Sequence, residues 1–138
     1  MFSVVRQIAD AHPVSRRSFD DALIACIEEC VACFQACAAC ADACLSEPDV
    51  DSLLKCIRTD LDCSDVCGAT TAVLSRRTAL DLTVVRTVVE ACLASCIACA
   101  EECELHAAHH EHCRICAEAC RRCEAACRRL LAELPDAE

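Results

Sequence analysis

Eighteen cysteines recur along the chain in steps of three and four, and no other feature constrains the fold as strongly. They are Cys26, Cys30, Cys33, Cys37, Cys40 and Cys44; Cys56, Cys63 and Cys67; Cys92, Cys96, Cys99 and Cys103; and Cys113, Cys116, Cys120, Cys123 and Cys127. Side chains at this spacing return to one face of an α-helix, and an apolar stripe in heptad register is the seam along which helices pack. The four runs predict four long helices that present sulfur where a bundle normally presents leucine or isoleucine. One Gly, three Pro, and no Trp or Tyr in 138 residues leave little of the punctuation that a turn-rich β fold needs.

The breaks between the runs set the boundaries. Val4, Val5 and Ile8 stand at helical spacing ahead of Pro13, which predicts a short peripheral helix over 1–12. Ser18 or Asp20 is the expected cap of the first long helix, which Glu47 and Pro48 stop after Leu45. A second helix, over 51–75, starts from Asp49 or Asp51, and Arg76 and Arg77 suit its C-terminal end. A third starts from Thr78 or Asp81 and runs to residue 107. No Gly or Pro separates it from the fourth. A continuous helix there would be about 80 Å long at 1.5 Å per residue, out of scale with its partners, so a tight hairpin is expected near 107–111. Pro135 ends the fourth helix. The expected fold is all-α: one domain over 1–138, an antiparallel up-down-up-down four-helix bundle with a short extra N-terminal helix.

Charge and composition narrow the partners. Thirteen Lys and Arg against 23 Asp and Glu give a formal charge of -10, and 2% aromatic residues leave almost nothing for bases to stack on, so no nucleic-acid partner is expected. The opening MFSVVRQIAD holds no apolar run long enough for a signal peptide or a membrane span, and no membrane partner is expected. Arg16 and Arg17 imitate a twin-arginine export address, but Asp20 and Asp21 follow, and the apolar stretch from Ala22 to Ile27 ends at Glu28. A short chain this rich in cysteine ordinarily suggests a secreted disulfide scaffold. Here the cysteines lie among helix formers, which favours a reducing cytoplasm and free thiols.

What the thiols do follows from their number and softness. A single core cysteine is ordinarily an inert small hydrophobe. Eighteen in register would underfill a bundle core at a cost of about 1 kcal/mol or more per missing methyl-sized volume, unless something occupied the space. Five CxxC pairs arise (Cys30 with Cys33, Cys37 with Cys40, Cys96 with Cys99, Cys113 with Cys116, Cys120 with Cys123), most of them deep in helices with no preceding strand, unlike thioredoxin-type redox motifs. Thiolates suit monovalent copper, zinc and iron–sulfur centres. Zinc at four sulfurs per ion would allow only about four complete sites. Monovalent copper accepts two or three thiolates, and bridging sulfurs raise the capacity to about one ion per cysteine. One cation per thiolate also leaves the interior nearly neutral.

Alternating helix directions sort the other core residues to two ends. Phe19, Leu23, Val73, Leu74, Leu82, Val85, Val89, Leu130, Leu131 and Leu134 gather at one, an aliphatic plug that can hold the fold without metal. Cys44, Cys56, Cys103 and Cys113 gather at the other. His106 and His110 continue the cysteine phase into this mouth, with His109 and His112 beside them, as solvated turn residues or as sites of transient metal capture. Asp60 occupies the stripe between Cys56 and Cys63, as a metal ligand, a hydrogen-bond acceptor, or a side chain turned sideways to water.

The runs CIEECVACFQACAACADAC, CLASCIACAEEC and HCRICAEACRRCEAAC, the last after a histidine-rich turn, resemble the cytosolic bacterial branch of the four-helix-bundle copper storage proteins, over residues 20 to 130. The resemblance implies that all 18 cysteines bind Cu(I), that His106 and His110, with His109 or His112, stand at the open end, and that the bundles assemble as homotetramers. The expected function is storage and buffering of monovalent copper without catalysis. The alternatives are a structural zinc bundle or zinc buffer, a thiol redox or hydrolytic enzyme, and a disulfide-linked interaction bundle.

Overall fold

The structure is a computed structural model that describes residues 3–136. Five α-helices follow one another: α1 (Val4–Ala11), α2 (Asp20–Leu45), α3 (Leu54–Ser75), α4 (Leu82–His106) and α5 (Glu111–Glu133), with a 3₁₀ turn at Val50–Leu53 before α3 and no strand among the described residues. The four long helices close a ring in which α2 and α4 each pack on both α3 and α5. Met1 and Phe2 of the expected N-terminal helix lie outside the described residues.

Local chemistry explains where the helices begin. The Ser3 hydroxyl caps α1 by accepting from the Arg6 N–H at 3.2 Å. Asp81 rather than Thr78 caps α4, its carboxylate accepting from the N–H groups of Thr83 and Val84 at 3.0 and 3.1 Å. Neither expected side-chain cap of α2 forms: Phe19 holds the cap position, and Asp20, the first helical residue, turns inward. The 3₁₀ turn delays α3 to Leu54. The chain reverses at residues 107–110, and His110 stands at the N-cap of α5. Length, not turn composition, located that hairpin.

Every cysteine is buried between the helices and free. α2 and α4 are long and apolar enough to cross a membrane by length and composition. Their cysteines, a large part of that apolar character, all face the shared core. Phe19, Leu23, Leu74, Val85, Val89, Leu130 and Leu134 fill the closed end, while Val73, Leu82 and Leu131 stay partly exposed at its margin. Each large side chain buried there contributes about 1.5–3 kcal/mol.

The closed end is not purely aliphatic. Asp20, fully buried, receives the Arg77 guanidinium at 2.9 Å and the Arg17 backbone N–H at 2.8 Å. Arg77, expected at a solvated helix end, is 4% exposed and also donates to the Ala9 carbonyl at 2.8 Å, which fastens α1 to the bundle. Burial alone would raise the Asp20 pKa; the Arg17 N–H and the Arg77 and Arg17 charges outweigh it and hold the carboxyl below its usual range.

Candidate metal centre

Heptad spacing on each helix brings the thiols into one continuous ladder along the bundle axis. From the plug inward, Cys26 faces Cys127 at 3.9 Å, and Cys30 lies 3.7 Å from both Cys92 and Cys123. Cys67 meets Cys92 and Cys63 meets Cys96, each at 3.8 Å. Cys33 lies 3.8 Å from Cys63 and 3.7 Å from Cys120. Cys37 lies 3.7 Å from Cys120 and from Cys116 and 3.9 Å from Cys99. Cys99 then leads to Cys103 at 3.9 Å, and Cys103 to Cys56 at 3.6 Å. A disulfide needs about 2.05 Å, so these are contacts between thiols. An ion bonded to three thiolates at about 2.3 Å in a plane would set its sulfurs about 4.0 Å apart. The ladder is built close to that spacing, so binding requires little rearrangement.

Several groups of four donors lie within 4.8 Å of one another, and they share members. Cys33 and Cys63 belong both to the group with Cys67 and Cys96 and to the group with Cys37 and Cys120. Cys37 and Cys120 recur with Cys99 and Cys116, and Cys67 and Cys96 recur with Cys92 and Cys123. Independent four-sulfur sites cannot all be filled when sulfurs are shared, whereas bridging thiolates can serve adjacent ions.

Electrostatics oppose ionising the ladder without cations. Burial and the neighbouring Cys40 and Cys56 charges push the Cys44 thiol up to about 12. Hydrogen bonds from Cys127 and Cys30 bring Cys26 down to about 5. Hydrogen bonds from adjacent thiols thus favour the thiolate at Cys26, while burial and nearby charge disfavour it at Cys44. Metal binding removes the conflict by replacing protons with ions.

Asp60 lies inside the ladder and is fully buried, which overturns the solvent-facing option. Its Oδ1 accepts from the thiols of Cys99, Cys116 and Cys103 at 3.0, 3.3 and 3.4 Å. Burial, then the Cys116 and Cys99 charges, raise its pKa far above the carboxylate range, so the metal-free protein holds it protonated.

At the mouth the four expected histidines separate. The His112 Nδ1 lies 3.4 Å from Cys40 Sγ and 3.6 Å from Cys113 Sγ, and it forms a donor group with Cys40, Cys44 and Cys113. His106, the last residue of α4, faces Glu102 at 3.8 Å. His109 is exposed in the turn. His110 is held between Glu47, 2.5 Å from Nδ1, and Asp49, 3.0 Å from Nε2. Of the four, it is His112 that lies against sulfur, because the cysteine phase of α4 does not survive the turn at 107–110. Glu47 and Asp49, which spacing marked only as a helix stop and a cap, supply the carboxylates of this mouth. Their pairing puts the His110 pKa above its usual value, chiefly through Asp49. Burial alone would lower His112, but hydrogen bonds to Cys40 and Glu47 prevail and raise it.

A profile of the copper storage protein family matches residues 20–132. The copper storage protein Ccsp of Streptomyces lividans, in a structure loaded with 10 copper equivalents, is 57% identical, with a TM-score of 0.92 over 95% of this chain and 100% of that one. A structure of a cytosolic copper storage protein from Streptomyces lividans with five coppers is 63% identical, with a TM-score of 0.82 over 83% of this chain and 96% of that one. A Cu(I)-bound copper storage protein of Bacillus subtilis is 34% identical, with a TM-score of 0.70 over 78% of this chain and 95% of that one. By the span of the profile and the identity to these solved structures, the chain belongs to the copper storage protein family.

Proposed function

We propose that this protein stores and buffers monovalent copper in the cytoplasm, on the thiolates of all 18 cysteines, with a capacity of about one ion per cysteine. The observation that carries this reading is the unbroken run of buried sulfurs at metal-bridging distances from Cys30 and Cys92 through Cys67, Cys63, Cys33, Cys37 and Cys99 to Cys103 and Cys56. Copper arrives at the group of His112, Cys40, Cys44 and Cys113, where an imidazole touches the sulfurs. It moves inward by exchange between thiolates that lie less than one ion's span apart. Asp60 offers an oxygen beside Cys99, Cys103 and Cys116 and serves as a ligand or an acceptor when those thiols lose their protons. His106, His109 and His110 act at the rim, ahead of the sulfur sites. No chemical turnover is required, so the protein is not an enzyme.

The shared donor groups favour copper over the zinc alternative, because separate four-sulfur zinc sites would compete for the same thiols. The bundles assemble as homo-oligomers, a tetramer by family resemblance. The apolar side chains of Val4, Ile8, Val31 and Phe34, left exposed on α1 and α2, suit such an assembly. A copper-loaded crystal structure, with anomalous differences collected at the copper edge beside a metal-free crystal, tests the reading. The expected result is a row of copper ions along the axis joined by bridging sulfurs. Cystines in the core, or copper confined to the outer surface, would overturn it.

A further inference from the structure

Outside the sulfur ladder, the mouth brings together two imidazoles and two carboxylates from segments more than 60 residues apart in sequence. Glu47 Oε2, in the turn after α2, lies 2.5 Å from His110 Nδ1 and 3.0 Å from His112 Nε2. The other nitrogen of His110 meets Asp49 at 3.0 Å, and the two rings lie 5.5 Å apart. We propose that Glu47, His110 and His112 form a separate site for a borderline divalent cation such as zinc, with Asp49 positioning His110. Two histidines and one carboxylate, with a fourth place left for water, are a recurrent divalent-metal donor set. Each metal-bound histidine in such sites ordinarily gives its other ring N–H to a carboxylate, which fixes the ring and its tautomer. Asp49 stands where that partner belongs.

The arrangement is close to the dimensions required. Donors around a tetrahedral zinc lie about 3.3 Å apart, so Glu47 has to withdraw by less than about 1 Å for the ion to replace the shared protons. Charge is also accounted for: a divalent ion neutralises the two carboxylates with both imidazoles uncharged, His112 binding through Nε2 and keeping its proton on Nδ1 toward the sulfurs. His112 separates the two metal chemistries, its Nδ1 facing the sulfurs of Cys40 and Cys113 and its Nε2 facing Glu47. The Glu47 and His112 side chains are each 27% exposed, so an ion has access from solvent without passing through the core.

The test uses protein already filled with Cu(I), whose thiols are engaged. Zinc is added, excess is removed by desalting, and both metals are counted, with the zinc environment read by X-ray absorption at its edge. One zinc per chain should remain, bound by nitrogen and oxygen only. Glu47→Gln, His110→Ala and the milder His110→Gln should lose it, Asp49→Asn should weaken it about 10- to 100-fold, and His12→Ala should not change it. The helical circular dichroism signal verifies that each variant is folded. Failure of the wild type to retain zinc, sulfur in the zinc environment, or undiminished zinc in the folded Glu47 and His110 variants would overturn the proposal. The copper count on the same samples reports the storage reading separately.

Discussion

Arg77→Ala removes the guanidinium that neutralises Asp20 beneath α1. Breaking a buried ion pair by deleting one partner costs about 3–5 kcal/mol, because the remaining charge stays buried. Asp20 keeps the Arg17 backbone N–H at 2.8 Å and the partly exposed Arg17 guanidinium at 3.4 Å, which places the loss at the lower end, about 3 kcal/mol. With an m-value of about 2 kcal/mol per molar urea for a chain of this size, the unfolding midpoint of the reduced, metal-free protein should fall by about 1.5 M. Removing both charges in Asp20→Asn/Arg77→Met should cost less than Arg77→Ala alone, because no unpaired ion is left behind. The pH dependence follows the same pair. The folded Asp20 pKa lies below its ordinary 3.8, so its contribution is present above 3.8 and is lost as the pH falls through the lower folded value. The gap between wild type and Arg77→Ala should therefore narrow on acidification below about pH 4. Copper capacity should be unchanged, since the pair lies outside the sulfur ladder. A midpoint shift below about 0.3 M, or a double variant weaker than the single one, would refute the reasoning.

Asp60→Asn should leave the stability of the metal-free protein at pH 7 within about 1 kcal/mol of wild type, measured by urea unfolding, because the native carboxyl is already uncharged. His112→Ala should slow uptake of the first copper ions in stopped-flow mixing while lowering total capacity by no more than about one ion. Ala79, in the left-handed region at φ 52°, is strained, and Ala79→Gly should raise stability by about 0.5–1 kcal/mol in thermal unfolding. Gly68→Ala should stabilise by a similar amount: its new methyl meets only the half-exposed Phe34 ring, at 3.2 Å, which has room to swing outward.

The architecture was legible because one residue type marks all four core stripes, and the phase of Cys26 to Cys44 alone fixes which face of α2 turns inward. The sulfur ladder follows from those phases as soon as the helices alternate. The chemistry at the two ends was not legible in the same way. Arg77 resembles an ordinary cation at a helix end, and nothing nearby in sequence announces that Asp20, 57 positions earlier, waits for it inside the fold. At the mouth, periodicity carried through residues 104–112 assumes unbroken helix, but the turn resets the phase and gives His112 the contact with sulfur. Glu47 and Asp49 are 65 and 61 positions from the imidazoles they meet, and only the closing of the bundle brings them together. Asp60 was placed by phase, and its burial settles which way it points.

Anaerobic titration of the fully reduced protein with Cu(I), against a chelator of known affinity, bears most directly on the central claim. A sulfur ladder that shares its donors should withdraw copper until the count per chain far exceeds the roughly four ions that separate four-thiolate sites could hold, and approaches the number of thiols. Saturation at one or two equivalents would contradict it.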